Sequence, residues 1–217
     1  MIELKDITYQ PADKPVLNHL NLTIKRGEHT LLLGASGSGK TTLLHLIAGL
    51  LSPTSGEVRV DGELVSSLLT DASDAWRARS IGMVFQTLHL FPMLDVLGNL
   101  QLARYLAGLK PDDARLMRLL EEVGLGEKAH ALPSALSQGQ AQRVAIARAL
   151  ATGAPWLLAD EPTSALDDDN TRSIMDLLEV TAREHQATLL IATHDQRIAG
   201  RLPKRIALGQ MKLKEVA

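Results

Sequence analysis

The 217-residue sequence contains no cysteine, which removes disulfide scaffolds, thiolate zinc sites and thiol nucleophiles and agrees with a reducing compartment. Aromatics are scarce, two each of Trp, Tyr and Phe, and 23 basic side chains face 25 acidic ones for a net charge of −2. An extended nucleic-acid surface needs a basic stripe or a stacking platform, so no nucleic-acid partner is expected. No apolar run approaches the roughly 18–20 uncharged residues that cross a bilayer. The segment 1–6 also lacks the basic-then-apolar order of a secretory signal. The expected place is the cytoplasm, where such a chain can still dock on a membrane partner. At about 100–200 residues per domain, the length allows one large domain or a domain with a sizeable insertion.

What is present is a succession of short strands followed by alternating helices and strands. Ile2, Leu4 and Ile7 are spaced loosely, as in an edge strand; Leu20, Leu22 and Ile24 alternate with polar residues; Thr30–Leu33 is a continuous apolar strand. A glycine-rich stretch, Gly34–Gly39, opens into a helix expected over Thr41–Leu50, and a strand and turn are expected over Glu57–Leu64. From about Leu88 to Pro133 the pattern is helical, with Leu116, Leu119, Leu120 and Val123 on one face, Pro111 near the start and Gly124 past the end. Helices are expected over Ala141–Ala151 and over Asp168–Glu184, the latter with Ile174, Leu177, Leu178 and Thr181 inward, and buried strands over Trp156–Ala159 and Ala187–Thr193. Strands alternating with helices imply an α/β fold with a parallel sheet covered on both faces.

The stretch Gly34-Ala35-Ser36-Gly37-Ser38-Gly39-Lys40-Thr41 fits the P-loop pattern in full and lies between an apolar strand and an amphipathic helix, as that pattern requires. Its glycines let successive N–H groups point at phosphate oxygens, and the helix N-terminus adds positive partial charge. Lys40 is expected to reach the β- and γ-phosphates and the Thr41 hydroxyl to ligate Mg²⁺. Kinases, GTPases and transport ATPases all use such a loop. Discrimination begins at Trp156–Glu161, a buried strand ending in two carboxylates, where the carboxyl edge of a parallel sheet holds ligand. Asp160 is expected to bind Mg²⁺. Glu161 either polarises the attacking water or caps the following segment, and the phosphate loop favours catalysis.

The stretch Leu136-Ser137-Gln138-Gly139-Gln140, followed by Gln142-Arg143 and Val144–Leu150, resembles the signature motif of ATP-binding cassette (ABC) ATPases. Gln86 is similar to that family's Q-loop glutamine, Ser164-Ala165-Leu166-Asp167 to its D-loop, His194 to its switch histidine, and Tyr9 to the aromatic that stacks on adenine. These elements follow family order from about residue 2 to 210. The resemblance implies a P-loop NTPase core with an N-terminal antiparallel β-subdomain and an inserted helical subdomain. It divides the single domain 1–217 into a core of 1–87 and 134–217 and a helical insertion of 88–133.

The resemblance also implies two ATP molecules held between two head-to-tail copies of the chain, each between the P-loop of one and the signature of the other. Tyr9, Gly34, Ala35, Ser36, Gly37, Ser38, Gly39, Lys40, Thr41 and Thr42 would bind nucleotide, with Ser137, Gly139 and Asp167 acting across the interface. Thr41, Gln86 and Asp160 would hold Mg²⁺; Glu161, His194, Gln86 and Lys40 would carry catalysis. Gln138 stands where the family commonly has glycine, and Ala141 where it has glutamine. Bland readings stand beside these: His194 as a satisfied structural group, Tyr9 as core, and Asp168 and Asp169 as favourable charges at a helix N-terminus. Arg143 and Arg148 read as members of internal ion pairs.

The segment Ile81–Leu109, above all Phe85–Leu94, is similar to the small ATPases of lipoprotein-releasing and macrolide-export systems. That implies an integral membrane permease as partner and a peripheral place on the cytoplasmic face of the inner membrane. Leu88, Phe91 and Met93 are candidates for the groove that receives the permease, or else for helical core. The alternative function is a cell-division type ATPase that signals mechanically through a membrane partner.

Overall fold

The computed structural model describes residues 1–68, 70–209 and 212–215. In chain order the elements are β1 (Ile2–Tyr9), β2 (Leu17–Ile24), β3 (Thr30–Leu33), α1 (Lys40–Ile47), β4 (Ser55–Val60), β5 (Glu63–Leu64), α2 (Thr70–Ser80), β6 (Ile81–Val84), α3 (Val96–Leu106), α4 (Asp113–Glu122), α5 (Gln138–Leu150), β7 (Trp156–Asp160), α6 (Asp168–Glu184), β8 (Thr188–Thr193), β9 (Lys204–Gly209) and β10 (Lys212–Glu215). They belong to two compact units, residues 1–77 with 190–217, and residues 78–189.

In the first unit, β1, β2, β4 and β5 form an antiparallel sheet in the order β2-β1-β4-β5. β1 is paired on both sides, with β2 and with β4, so the edge position expected from its loose spacing is corrected. The spacing has another cause. The register with β2 shifts between Leu4 and Ile7 and again between Ile7 and Tyr9, and such bulges disrupt strict alternation. Asp6 and His19 take left-handed backbone conformations, with φ of 54° and 48°. Gly56 on β4 accommodates the bulge, since a Cβ there would lie 2.4 Å from the Asp6 carbonyl oxygen.

β3 is flanked in parallel by β8, through Thr30–Leu33 against Leu190–Thr193, and by β9, through Thr30–Leu33 against Lys204–Ala207. Leu31 and Leu32 are fully buried, as a strand covered on both faces demands. α1 buries Leu43, Leu44, Leu46 and Ile47. It ends at Ile47 rather than at the expected Leu50 because Gly49, at φ 64°, turns the chain so that the Leu50 amide bonds back to His45. Nothing in the sequence pattern marks α2. Among its described side chains only Ser73 is buried, and its hydroxyl donates to the Gly49 carbonyl at 3.1 Å.

In the second unit, β6 and β7 pair in parallel from Ile81 with Trp156 to Val84 with Ala159. α5 packs on β6 so closely that a Cβ at Gly82 would lie 2.2 Å from the Ala149 carbonyl oxygen. α5 begins at Gln138, not at the expected Ala141. Ser137 and Gln140 form a capping box that satisfies the first amides earlier in the chain. α4 has Asp112 as its N-cap and buries Leu116, Leu119 and Leu120, as the heptad-like spacing predicts. α6 has the expected bounds and buries Ile174, Met175, Leu178 and Thr181, while Leu177 is half-buried. Among the described residues, no helix is long and apolar enough to cross a membrane.

One ion pair joins distant parts of the first unit. Glu28 Oε2 accepts from Lys204 Nζ at 3.0 Å and from the Lys25 amide at 3.0 Å. Burial alone pushes the Glu28 carboxyl up, but the Lys25 amide and the Lys204 ammonium together outweigh it and hold the group below its ordinary value of 4.5. A depressed carboxylate stabilises the folded chain fully above its unfolded pKa, and that contribution is lost as pH falls through the lower folded value. Glu28→Gln is therefore expected to lower the midpoint of thermal unfolding at pH 7 by about 2–4 °C, as for a part-exposed pair worth up to about 1 kcal/mol. The difference from wild type should shrink steadily as pH is lowered below 4.5; a difference that does not change with pH contradicts this account of the pair.

Candidate functional site

The loop Gly34–Gly39 leaves the end of β3 and enters α1 without a side-chain cap, with Gly39 as N-cap at φ 96°. The first-turn amides of α1 are thus available to an anion. The loop is tightly constrained. A Cβ at Gly34 would lie 2.6 Å from Ser38 Oγ and 2.7 Å from the Leu208 carbonyl oxygen, while Gly37, at φ 76°, faces open space. Lys40 is only 5 % exposed, and its ammonium donates to the Gly34 carbonyl at 2.8 Å and the Ala35 carbonyl at 3.1 Å. Ser38 Oγ is buried without a hydrogen-bond partner, a position that an incoming phosphate oxygen would satisfy. Ala35, Ser36 and Thr41 are exposed and Thr42 half-buried.

Two more expected residues come to this loop within the same unit. Tyr9 pairs with Leu17 across β1 and β2, and a Cβ on Gly39 would lie 2.9 Å from Leu17 Cδ2. The end of β1 therefore lies beside the end of the loop. The Gly34 amide donates to the Thr193 carbonyl at 3.3 Å, which places the exposed His194 one residue beyond the contact. Asp195 caps the short turn that follows, with its carboxylate accepting from the Arg197 amide and guanidinium.

The second unit carries the other candidates. Val84 and Ala159 are the last paired residues of the two strands, and Gln86 and Glu161 each lie two residues beyond them. Gln86 is exposed; Asp160 and Glu161 are 3 % and 7 % exposed. Glu161 has φ 48°, a left-handed conformation that is uncommon for a residue with a Cβ and that clusters at functional positions. Its carbonyl accepts from the Ser164 amide and hydroxyl at 3.3 and 3.1 Å. The Glu161 backbone oxygen thus takes part in holding the turn that follows.

Ser137 is the N-cap of α5, its Oγ accepting from the Gln140 amide at 3.3 Å. Asp167 is the N-cap of α6, accepting from the Asn170 amide and side-chain nitrogen, both at 2.8 Å. Gly139 abuts Asn170, whose Oδ1 would lie 3.4 Å from a Cβ at that glycine. The two helix N-termini therefore meet through Asn170, a residue that no sequence pattern singles out. Among the described residues, no group of three or more His, Cys, Asp or Glu is arranged to hold a metal ion.

The expected ion pairs of Arg143 and Arg148 are corrected. Arg143 donates to the Val123 carbonyl and the Ser173 hydroxyl, and Arg148 to the carbonyls of His89 and Leu88 at 2.6 and 2.7 Å. Both guanidinium groups serve chain segments whose carbonyls lack helix or strand partners. Burial pulls the Arg148 guanidinium below its ordinary pKa. Beside Arg148 lies an apolar groove of about 260 Å³ lined by Met83, Phe85, Phe91, Leu102 and Leu106 among others. Phe91, Met93 and Leu106 are 53 %, 87 % and 64 % exposed. Phe91 and Met93 are therefore not helical core; of the three candidates Phe91 lines the groove, Met93 stands outside its lining, and Leu88 contributes its carbonyl to Arg148.

The ABC transporter family matches residues 17–164. The lipoprotein-releasing system ATP-binding protein LolD of Xanthomonas campestris pv. campestris is 42 % identical over 205 residues, covering 94 % of this chain and 86 % of that protein. The macrolide export ATP-binding/permease protein MacB of Rhodopseudomonas palustris is 43 % identical over 195 residues, covering 88 % of this chain and 30 % of the much longer relative. Among solved structures, the dimeric ABC transporter cassette MJ0796 superposes with a TM-score of 0.90 at 36 % identity, covering 100 % of this chain and 99 % of that one. The same cassette in a post-hydrolysis dimer with ADP and phosphate superposes equally well. The strand–loop–helix at Gly34–Thr41, the carboxylates that end β7 and these likenesses place the chain in the ABC transporter family, as an ATP-hydrolysing cassette.

Proposed function

We propose that the chain powers a membrane transporter of the lipoprotein-releasing or macrolide-exporting kind, as a homodimer that closes head-to-tail around two Mg-ATP and drives a separate integral membrane permease. The observation that carries this reading is the Lys40 ammonium folded onto the Gly34 and Ala35 carbonyls at the end of a buried strand, with Tyr9 and His194 brought to the same loop. Its place of work is then the cytoplasmic face of the inner membrane. The relatives LolD and MacB, by their names a lipoprotein-releasing and a macrolide-export protein, favour transport over mechanical signalling. Residues 88–133 form a helical subdomain within a single domain 1–217, and the groove at Phe85, Phe91 and Leu106 receives an apolar segment of the permease.

In this reading Tyr9 stacks on adenine, and the amides of Gly34–Lys40, with the Thr41 and Thr42 hydroxyls, surround the phosphates. Lys40 carries charge to the β- and γ-phosphates. Thr41, Gln86 and Asp160 hold Mg²⁺; they offer hard oxygen donors, one on a carboxylate only 3 % exposed, which is the chemistry that this cation takes. When bound, the ion offsets negative charge on the phosphates. Glu161 accepts a proton from the attacking water, its carboxylate aimed by the left-handed turn and by burial. His194 donates to the γ-phosphate as charge builds there.

Ser137, the Gly139 amide and Asp167 serve the nucleotide held by the partner copy. Gln138 lies in the first turn of α5 and is exposed, so its side chain can point away from the phosphate while its backbone stays.

Glu161→Gln is expected to bind ATP, to hydrolyse it roughly 10²–10⁴-fold more slowly, and to elute as a dimer on gel filtration only with ATP. A wild-type turnover rate removes Glu161 from the role. Gly34→Ala adds a Cβ that must displace Ser38 or the Leu208 backbone. Calorimetric ATP affinity should fall by about tenfold or more, the equivalent of at least 1.4 kcal/mol; unchanged affinity contradicts the proposed phosphate site.

A further inference from the structure

The segment that follows β6 has no regular secondary structure up to the start of α3 at Val96. It is nevertheless held at defined points. At its near end, β6 pairs with β7 and is pressed onto the Ala149 carbonyl at Gly82. At its far end Asn99, 1 % exposed, accepts from the Phe91 amide at 2.8 Å and donates to the carbonyls of Phe91, Leu94 and Asp95. Between these, Arg148 in the last turn of α5 donates one nitrogen to the His89 carbonyl at 2.6 Å and another to the Leu88 carbonyl at 2.7 Å.

His89 takes a left-handed conformation at φ 49°, and its ring meets that of Phe85 edge to face at 5.4 Å between centroids. Gln86 and Thr87 are exposed and lie in the short span between Phe85 and the two tethered carbonyls.

We propose that Arg148 is a positioning residue for Gln86: by clamping the Leu88 and His89 carbonyls to α5, it makes the place of Gln86 follow the signature helix rather than α3. The chemistry favours arginine for this task. Two short charge-assisted bonds to consecutive carbonyls need the fixed fork of a guanidinium, whereas an ammonium is a single point charge on a flexible stem. Burial pulls the guanidinium below its ordinary pKa, so the group tolerates a cost that water would have spared it.

The two anchors also come from different elements. Asn99 belongs to α3 and Arg148 to α5, so a displacement of α3 against α5 is taken up between His89 and Phe91, one bond system beyond Gln86. Arg148 also lines the apolar groove together with His89 and Phe91. An occupant of that groove therefore touches the clamp directly.

The proposal rests on the reading of Gln86 as a group that holds Mg²⁺ and serves catalysis. It is tested on this chain with Arg148→Lys, Gln86→Ala and the double variant, measuring kcat, the KM for ATP, the Mg²⁺ concentration for half-maximal activity and, without nucleotide or metal, amide hydrogen exchange over residues 86–89, which Arg148→Lys is expected to quicken and which unchanged exchange would contradict. Arg148→Lys is expected to lower kcat roughly tenfold, as loss of one charged hydrogen bond implies, to raise the Mg²⁺ requirement and to leave the ATP KM within about twofold. The double variant is expected to be no slower than Gln86→Ala alone.

If Gln86→Ala turns over at the wild-type rate, the underlying reading of Gln86 falls and the proposal with it. If Gln86→Ala is slow but the losses multiply in the double variant, the clamp alone is overturned. A rise in the ATP KM with kcat unchanged overturns it as well. Should Arg148→Lys fail to fold, insertion of one glycine between Thr87 and Leu88 leaves both Arg148 bonds intact. That variant carries the same expectation, and wild-type kcat in it overturns the clamp.

Discussion

Taking a charged side chain out of water costs about several kcal/mol even after relaxation, and this chain does so at Lys40, Asp160 and Glu161, which are 5 %, 3 % and 7 % exposed. Asp160 ends β7, Glu161 follows it, and Lys40 opens α1 beyond the loop after β3, so each stands on the carboxyl side of a buried parallel strand. A core built for stability alone gains nothing from that arrangement, since apolar groups of similar volume serve as well or better. In the function proposed above, a highly charged ligand is what makes that cost worth sustaining at each of these groups. The carbonyls of Gly34 and Ala35 orient the Lys40 ammonium, which in that proposal also meets phosphate oxygens.

The same accounting of polar groups explains the less regular parts of the chain. Every loop near the candidate residues has its backbone carbonyls or amides taken up by a specific side chain: Asn99 for residues 91–95, Arg148 for 88 and 89, Asp167 with Asn170 at the start of α6, Ser137 with Gln140 at the start of α5. These side chains turn loops into positioned segments. Glycine does the complementary work where backbones must approach, as at Gly82 against Ala149 and Gly56 against Asp6. The left-handed conformations of His89 and Glu161 persist because the surrounding bonds over-determine them.

Much of this is legible in the sequence alone. The phosphate loop, the paired carboxylates after Trp156–Ala159 and the bounds of α6 follow from motifs and 3.6-residue periodicity, because local chemistry and fold agree there. The rest was hidden for identifiable reasons. β1 looks like an edge strand because two bulges break its alternation, and that depends on Gly56 of another strand. α2 carries almost no apolar stripe, since it is held by Ser73 and by Arg77 reaching the Ala48 and Gly49 carbonyls. Arg148 resembles any arginine in a helix of small residues. Its two acceptors lie about sixty positions away, and no spacing rule announces a bond to a carbonyl.

In the proposed dimer the phosphate loop of one copy meets the signature helix of another across ATP. The absence of cysteine makes this directly measurable. Ser36 and Gln138 are both exposed, and replacing both by cysteine in the Glu161→Gln background gives two reactive positions on each chain. Under mild oxidation with Mg-ATP the account predicts a covalent dimer, resolved on a non-reducing gel, that is absent without nucleotide and absent from either single-cysteine variant. A chain that stays monomeric with ATP, or that cross-links equally without it, contradicts the composite site.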